Sequence, residues 1–183
     1  MAQWSSGYLE KTLNIPKVWG DIFGVALFSA MLGLGRTLYS KFGKNIGKVL
    51  FLSSVGATVC YMTSVVINIS SIGLMACALT GFCTAMLWPG SLVVASARFP
   101  KGGVFVFALM AAGGDLGASL VPQLVGIVAD TVIESKSMLE LAQMLNISAE
   151  QLGMKLGMLV GTLFPISSIP IFYRIWKKAK TVV

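Results

Sequence analysis

The 183-residue sequence contains no histidine. With it goes the side chain that most often serves as general base or metal ligand near neutral pH. Charge is scarce, at 11% of residues, against about 25% in an ordinary soluble domain. Acids are scarcer than bases, 7 against 14. The three cysteines, Cys60, Cys77 and Cys83, fall inside apolar runs without CxxC spacing. They read as small packing residues, which excludes a disulfide framework and a metal site. No nucleophile stands with a histidine, and no two acids lie close together in the apolar runs. GGDLG at 113–117 has no preceding strand or βαβ context, which excludes a nucleotide fingerprint. Enzyme chemistry, metals and cofactors are therefore not expected. MAQWSSGYLEKTLN lacks a basic leader ahead of an apolar run, so no cleavable signal peptide is read at the start.

What the sequence has in abundance is grease: 56% of residues are hydrophobic. Most fall in five apolar runs, near 18–39, 49–67, 72–94, 104–128 and 156–175. Each is long enough to cross a bilayer core as a helix of about 20 residues. The expected class is an all-α integral membrane protein of five transmembrane helices. The net charge of +7 does not point to nucleic acid, because the basic residues cluster just outside the runs, as they do beside membranes.

The first run repeats small residues four apart, Gly20 with Gly24, Ala26 with Ala30 and Ser29 with Gly33, a spacing that lets helices approach closely. The next loop carries Arg36, Lys41, Lys44 and Lys48 with no acid, so it is read as cytoplasmic. The second run is uncharged and β-branched and reads as lipid-facing. A short uncharged turn at 68–71 makes the second and third helices an antiparallel hairpin. In the third run Pro89 cannot donate to the Ala85 carbonyl, which predicts a kink near Trp88. Arg98 and Lys101 make the following loop cytoplasmic.

The fourth run carries Asp115 near its centre. A carboxylate near the bilayer midplane costs about 2.5–3.5 kcal/mol on insertion scales and marks a functional position by default. Helical steps from it reach Ala108, Ala111, Ala112, Ala118, Ser119 and Pro122, a stripe of small residues. A loop at about 129–150 follows, mostly acidic and read as external. It contains a short amphipathic stretch with Met138, Leu141 and Leu145 on one face, and Ser148 with Gln151 at capping-box spacing. The fifth run holds Pro165 and Pro170 and ends in the aromatic and basic YRIWKKAK. The topology that follows is a multi-pass protein of the cell membrane, with the N-terminus outside and the C-terminus cytoplasmic. Residues 1–17 then form an external segment, 18–175 the helical bundle and 176–183 a basic cytoplasmic tail.

With these residues in place the chain resembles the C-terminal half of a major facilitator superfamily transporter, helices eight to twelve of twelve. Leu38, Tyr39, Ser40, Lys41, Phe42, Gly43 and Lys44 are similar to the family's loop after its eighth helix. Ser40 stands where an acid is usual, and Arg36 where a glycine usually opens the motif. Pro100, Lys101 and Gly102, leading into Phe107, Leu109, Gly113, Asp115, Gly117, Pro122, Gly126 and Asp130, are similar to helix eleven of sugar-permease-like members. The resemblance implies a secondary transporter, or symporter, moving a small organic solute such as a sugar by alternating access, with the first, third and fourth runs lining the cavity. It also implies a missing N-terminal half as partner, so the chain is read as a fragment.

The residues expected on the substrate or proton pathway are Asp115, Trp88, Ser119, Gln123 and Ser29. Those expected at a cytoplasmic gate are Arg36, Lys41, Gly43 and Lys44. Each has a plainer reading beside it: Asp115 as a structural acid, Trp88 as packing, the hydroxyls and Gln123 as helix–helix hydrogen bonds, and the bases as topogenic charges at lipid headgroups. The alternative for the whole chain is a small membrane scaffold or assembly subunit that transports nothing. Asn68-Ile69-Ser70 and Asn146-Ile147-Ser148 match glycosylation sequons.

Overall fold

The computed structural model describes residue 10, residues 16–67 and residues 70–180. Among these there is no strand; every regular element is helical. A short lead-in, Lys17–Trp19 and a π-helical stretch Gly20–Val25, opens α1, Ala26–Phe42. Then come α2 (Ile46–Val66), α3 (Ser70–Thr84), α4 (Leu87–Arg98), α5 (Gly103–Glu134), α6 (Lys136–Met144) and α7 (Ala149–Lys180). Most of the expected 1–17 segment and the turn residues Asn68 and Ile69 lie outside the described residues.

Four stretches are long and apolar enough to cross a membrane: Ile46–Val66, Ser71–Arg98, Gly103–Glu134 and Ala149–Lys178. The first run is not among them. At 17 residues, α1 measures about 26 Å at 1.5 Å per residue, short of a hydrocarbon core of about 30 Å.

Local chemistry sets the helix ends. Gly43 stops α1, its N–H donating to the Tyr39 carbonyl at 2.7 Å. Two residues later the Asn45 side chain accepts from the Lys48 N–H at 3.0 Å and so caps the start of α2. Ser148 and Gln151 form the expected reciprocal box at the head of α7. The Gln151 N–H donates to Ser148 Oγ at 3.1 Å, and the Ser148 N–H to Gln151 Oε1 at 3.4 Å.

The helices meet backbone to backbone at glycines. Gly81 on α3 lies against the Phe28 backbone of α1, and Gly35 on α1 lies against Phe82 and Ala85. Residue numbers rise together along this seam, so α1 and α3 run parallel. Gly56 faces Cys83, and Gly90 faces Ile46 and Leu50, which sets α2 antiparallel to α3 and α4. Gly47 meets the Trp176 backbone and Gly161 meets Tyr61, so α7 is antiparallel to α2. Gly153 and Gly157 rest on Ala129 and Val125, so α5 and α7 are antiparallel too. The chain therefore passes up and down alternately. One end of the bundle gathers Lys41, Lys44, Lys48, Arg98, Lys101, Arg174, Lys177 and Lys178. The other gathers Asp130, Glu134, Glu140 and Glu150 with Lys136 and Lys155.

Three expectations change. The second run is not simply lipid-facing: α2 packs against α3 on one side and α7 on the other, burying Leu50, Ser54, Ala57, Cys60 and Ser64. The stripe Leu52, Val59 and Val66, seven residues apart, stays open together with Met62. The loop expected at 129–150 is mostly helix. Here α5 continues to Glu134 and α7 begins at Ala149, because Val132, Ala142 and Leu152 make a small apolar core that holds these turns together. The aromatic tail is also partly tertiary packing, since the Trp176 ring stacks on Phe51 at 5.4 Å between centroids.

Buried hydroxyls are satisfied within their own helices. Ser54, Ser64, Thr80 and Thr162 each donate to the carbonyl four residues back, at 2.7–3.0 Å. The three cysteines are free thiols, and Cys60 and Cys83 hydrogen-bond across the α2–α3 seam.

Candidate functional site

Helix α5 places Asp115. Its inward stripe is Val106, Met110, Gly114 and Val121, half-buried, followed by the buried Val125, Ala129 and Val132. Beyond Val121 this stripe lies in the glycine seam with α7. Asp115 follows Gly114 by one residue, which turns it about 100° from the stripe. It is exposed, and among the described residues nothing hydrogen-bonds or pairs with its carboxylate. The neighbours Ala111, Ala112, Ala118 and Ser119 are exposed as well. The small-residue stripe is thus an open face of this bundle.

Trp88 reaches the same place from α4. A Cβ added at Gly114 would lie 2.6 Å from its Cζ3 and 2.7 Å from its Cη2, so the indole edge rests on the bare backbone at Gly114. The residue as a whole is 45% exposed. The Trp88 ring thus lies against Gly114, and the Asp115 carboxylate follows one residue on, turned toward the open face.

The break that aims Trp88 is where proline predicts it. The helix of the third run is interrupted at Ala85 and Met86, and α4 restarts at Leu87 with Pro89 in its first turn. The Ala85 carbonyl, which no N–H at position 89 can reach, accepts instead from Arg36 Nε at 3.2 Å. Arg36 was expected in a gate loop; it stands inside α1 and bonds across to the break.

The remaining predicted residues are not drawn together. The Ser119 hydroxyl donates to the Asp115 backbone carbonyl at 2.8 Å, a bond within its own helix. Gln123 and Ser29 are exposed, and neither hydrogen-bonds to Asp115 or Trp88. Lys41 and Lys44 are exposed at the basic end, with Gly43 between them as the stop of α1. At the same end Arg98 and Lys101, with Phe99, Pro100, Gly102 and Val106, line an open groove of about 550 Å³. Among the described residues no three His, Cys, Asp or Glu side chains converge as a metal site would require.

No protein-family model, curated protein or solved structure matches this chain.

Sequence reasoning missed the glycines that build the seams. Gly153, Gly157 and Gly161 repeat every four residues along α7, the small-residue spacing that signals close helix contact. That signal was in plain view. Gly81 lies in a similar repeat with Gly73, Cys77 and Ala85, whereas Gly35 carried no comparable pattern. Chemically, Asp115 offers one group that can hold or release a proton or accept a hydroxyl, and Trp88, resting on the preceding residue, offers one flat apolar surface.

Proposed function

We propose that this chain is part of a secondary transporter of the membrane, similar to the C-terminal half of a major facilitator, and that Asp115 lies on its solute or proton pathway. The observation that carries the reading is the carboxylate itself. It stands on the longest apolar stretch, on an open face of small residues, one residue from the glycine on which the Trp88 ring rests. A carboxylate exposed to hydrocarbon is costly, so such residues face protein or a water-filled path. In this reading α1 adds a fifth crossing through its helical lead-in. The basic end lies in the cytoplasm with the C-terminus, as the positive-inside rule places it, and the N-terminus lies outside. A second helical bundle supplies the facing wall, and rocking of the two about the midplane exposes Asp115 to each side in turn. The solute is a small organic molecule; a sugar ring would stack its apolar face on Trp88.

The test is proton flux in proteoliposomes holding the chain with whatever helices complete it. A pH-sensitive dye inside the vesicles reports flux as mono- and disaccharides and small organic acids are added. One solute class is expected to discharge an imposed pH gradient, with Asp115→Asn abolishing the discharge. Transport of a solute by Asp115→Asn with the wild-type pH profile would sink the coupling role. Failure of every class, with the chain held in a stable complex, would favour the scaffold.

A further inference from the structure

We propose that Arg36 is a positioning residue for Trp88: it supplies the Ala85 carbonyl with the hydrogen-bond donor that Pro89 lacks, and so fixes the angle at which α4 leaves the break. Three observations, from α4 and α1, meet here. Pro89 deprives the Ala85 carbonyl of its ordinary helical partner, and a carbonyl left unpaired in an apolar setting is costly. Arg36 Nε, about three helical turns into α1 and so on a different helix, points at that oxygen from 3.2 Å. The approach is possible because Gly35, the residue beside Arg36, has no side chain. A Cβ there would stand 2.7 Å from the Ala85 Cβ and 3.1 Å from the Phe82 carbonyl oxygen. Gly35 thus brings α1 onto the break and Arg36 closes it.

The consequence is directional. Trp88 is the second residue of α4, so a change of angle at Ala85–Met86 moves its ring along the backbone at Gly114, next to Asp115. The bond uses Nε and not the charge as such, which separates this role from that of a base placed for topology or for lipid headgroups. Glutamine carries its amide nitrogen the same number of bonds from Cα as arginine carries Nε. Methionine matches the length and has no donor.

The test does not depend on transport. The protein is labelled with 5-fluorotryptophan, placed in lipid nanodiscs and read by fluorine NMR, the Trp88 resonance being assigned by its loss in Trp88→Phe. Arg36→Met is expected to shift or broaden the Trp88 resonance and leave that of Trp176 in place. Arg36→Gln is expected to keep Trp88 at its wild-type position. Pro89→Ala restores a backbone donor at position 89, so adding Arg36→Met to it should produce no further shift of Trp88. If Arg36→Met fails to fold, recovery in the double variant Arg36→Met/Pro89→Ala supports the role, and failure there too overturns it. Equal shifts in Arg36→Met and Arg36→Gln, an unmoved Trp88 in Arg36→Met, or the same Arg36→Met shift with and without Pro89 would each overturn it.

Discussion

The three glycines of α7 make a graded experiment within one motif. A Cβ at Gly153 would lie 2.7 Å from the Ala129 carbonyl oxygen, and one at Gly157 2.9 Å from that of Val125. Both obstacles are backbone, which cannot swing aside, so α5 and α7 must separate by about half an ångström to admit either methyl. A gap of that order forfeits about a quarter of the dispersion well for each contact along the seam. Overpacking costs typically 1–3 kcal/mol, while alanine over glycine returns about 1 kcal/mol of helix propensity. The net expectation for Gly153→Ala or Gly157→Ala is a loss of up to about 2 kcal/mol. At Gly161 the nearest atom is Tyr61 Cε1 at 3.5 Å, ordinary contact. Gly161→Ala should therefore be neutral, or stabilising by up to about 1 kcal/mol. The two costly changes share one seam, so together they should cost less than their sum, the helices having already moved apart. The measurement is reversible unfolding in mixed micelles as the fraction of denaturing detergent rises. If Gly161→Ala proves the most damaging of the three, or Gly153→Ala raises stability, the account of the seam is wrong.

The α1–α3 seam gives a second contrast, because Gly33 has nothing within 4 Å of an added Cβ whereas Gly81 would drive one into the Phe28 backbone. Gly81→Ala should lower the thermal midpoint in detergent and Gly33→Ala should leave it unchanged or raise it; the opposite order would remove the seam from the fold. At the caps, Ser148→Ala and Asn45→Ala should each cost about 1 kcal/mol in the same unfolding measurement, and Ser148→Asp should recover most of that cost at its own site. Gly114→Ala meets only the far edge of the Trp88 ring. It is expected to leave stability nearly unchanged while shifting Trp88 emission, and an unaltered spectrum would mean that the ring does not rest on that backbone.

Where the chain turns was largely legible in the sequence; which way its helices face was not. Pro89 located the break, Ser148 with Gln151 located the head of α7, and the basic loops fall at one end of the bundle because the helices alternate. Each of these signals is local: a missing N–H, a cap, a cluster of charge. Facing is a different problem. A helix among lipids is apolar all round, so hydrophobic periodicity does not say which side packs. The small residues singled out on the first run show the cost of that. Gly24 is buried, but Ala26, Ser29, Ala30 and Gly33 are exposed, and the contact with α3 is made by Gly35 and the backbone of Phe28. The acidic stretch at 129–150 misled for the converse reason. Its charges occupy one side of helices whose other side buries Val132, Ala142 and Leu152.

Asp115 joins both lessons. Its place in the run was plain from the sequence, but its direction follows only from Gly114, whose bare backbone must face the Trp88 ring. One residue further on, the carboxylate is turned away from that contact and from the α5–α7 seam. No group within the described bundle offers it a hydrogen bond. On the transport reading, whatever solvates it comes from the facing wall or from the water and solute between. The Asp115 environment should then change with the transport cycle, while that of the buried Thr162, bonded within α7 at 2.9 Å, should not.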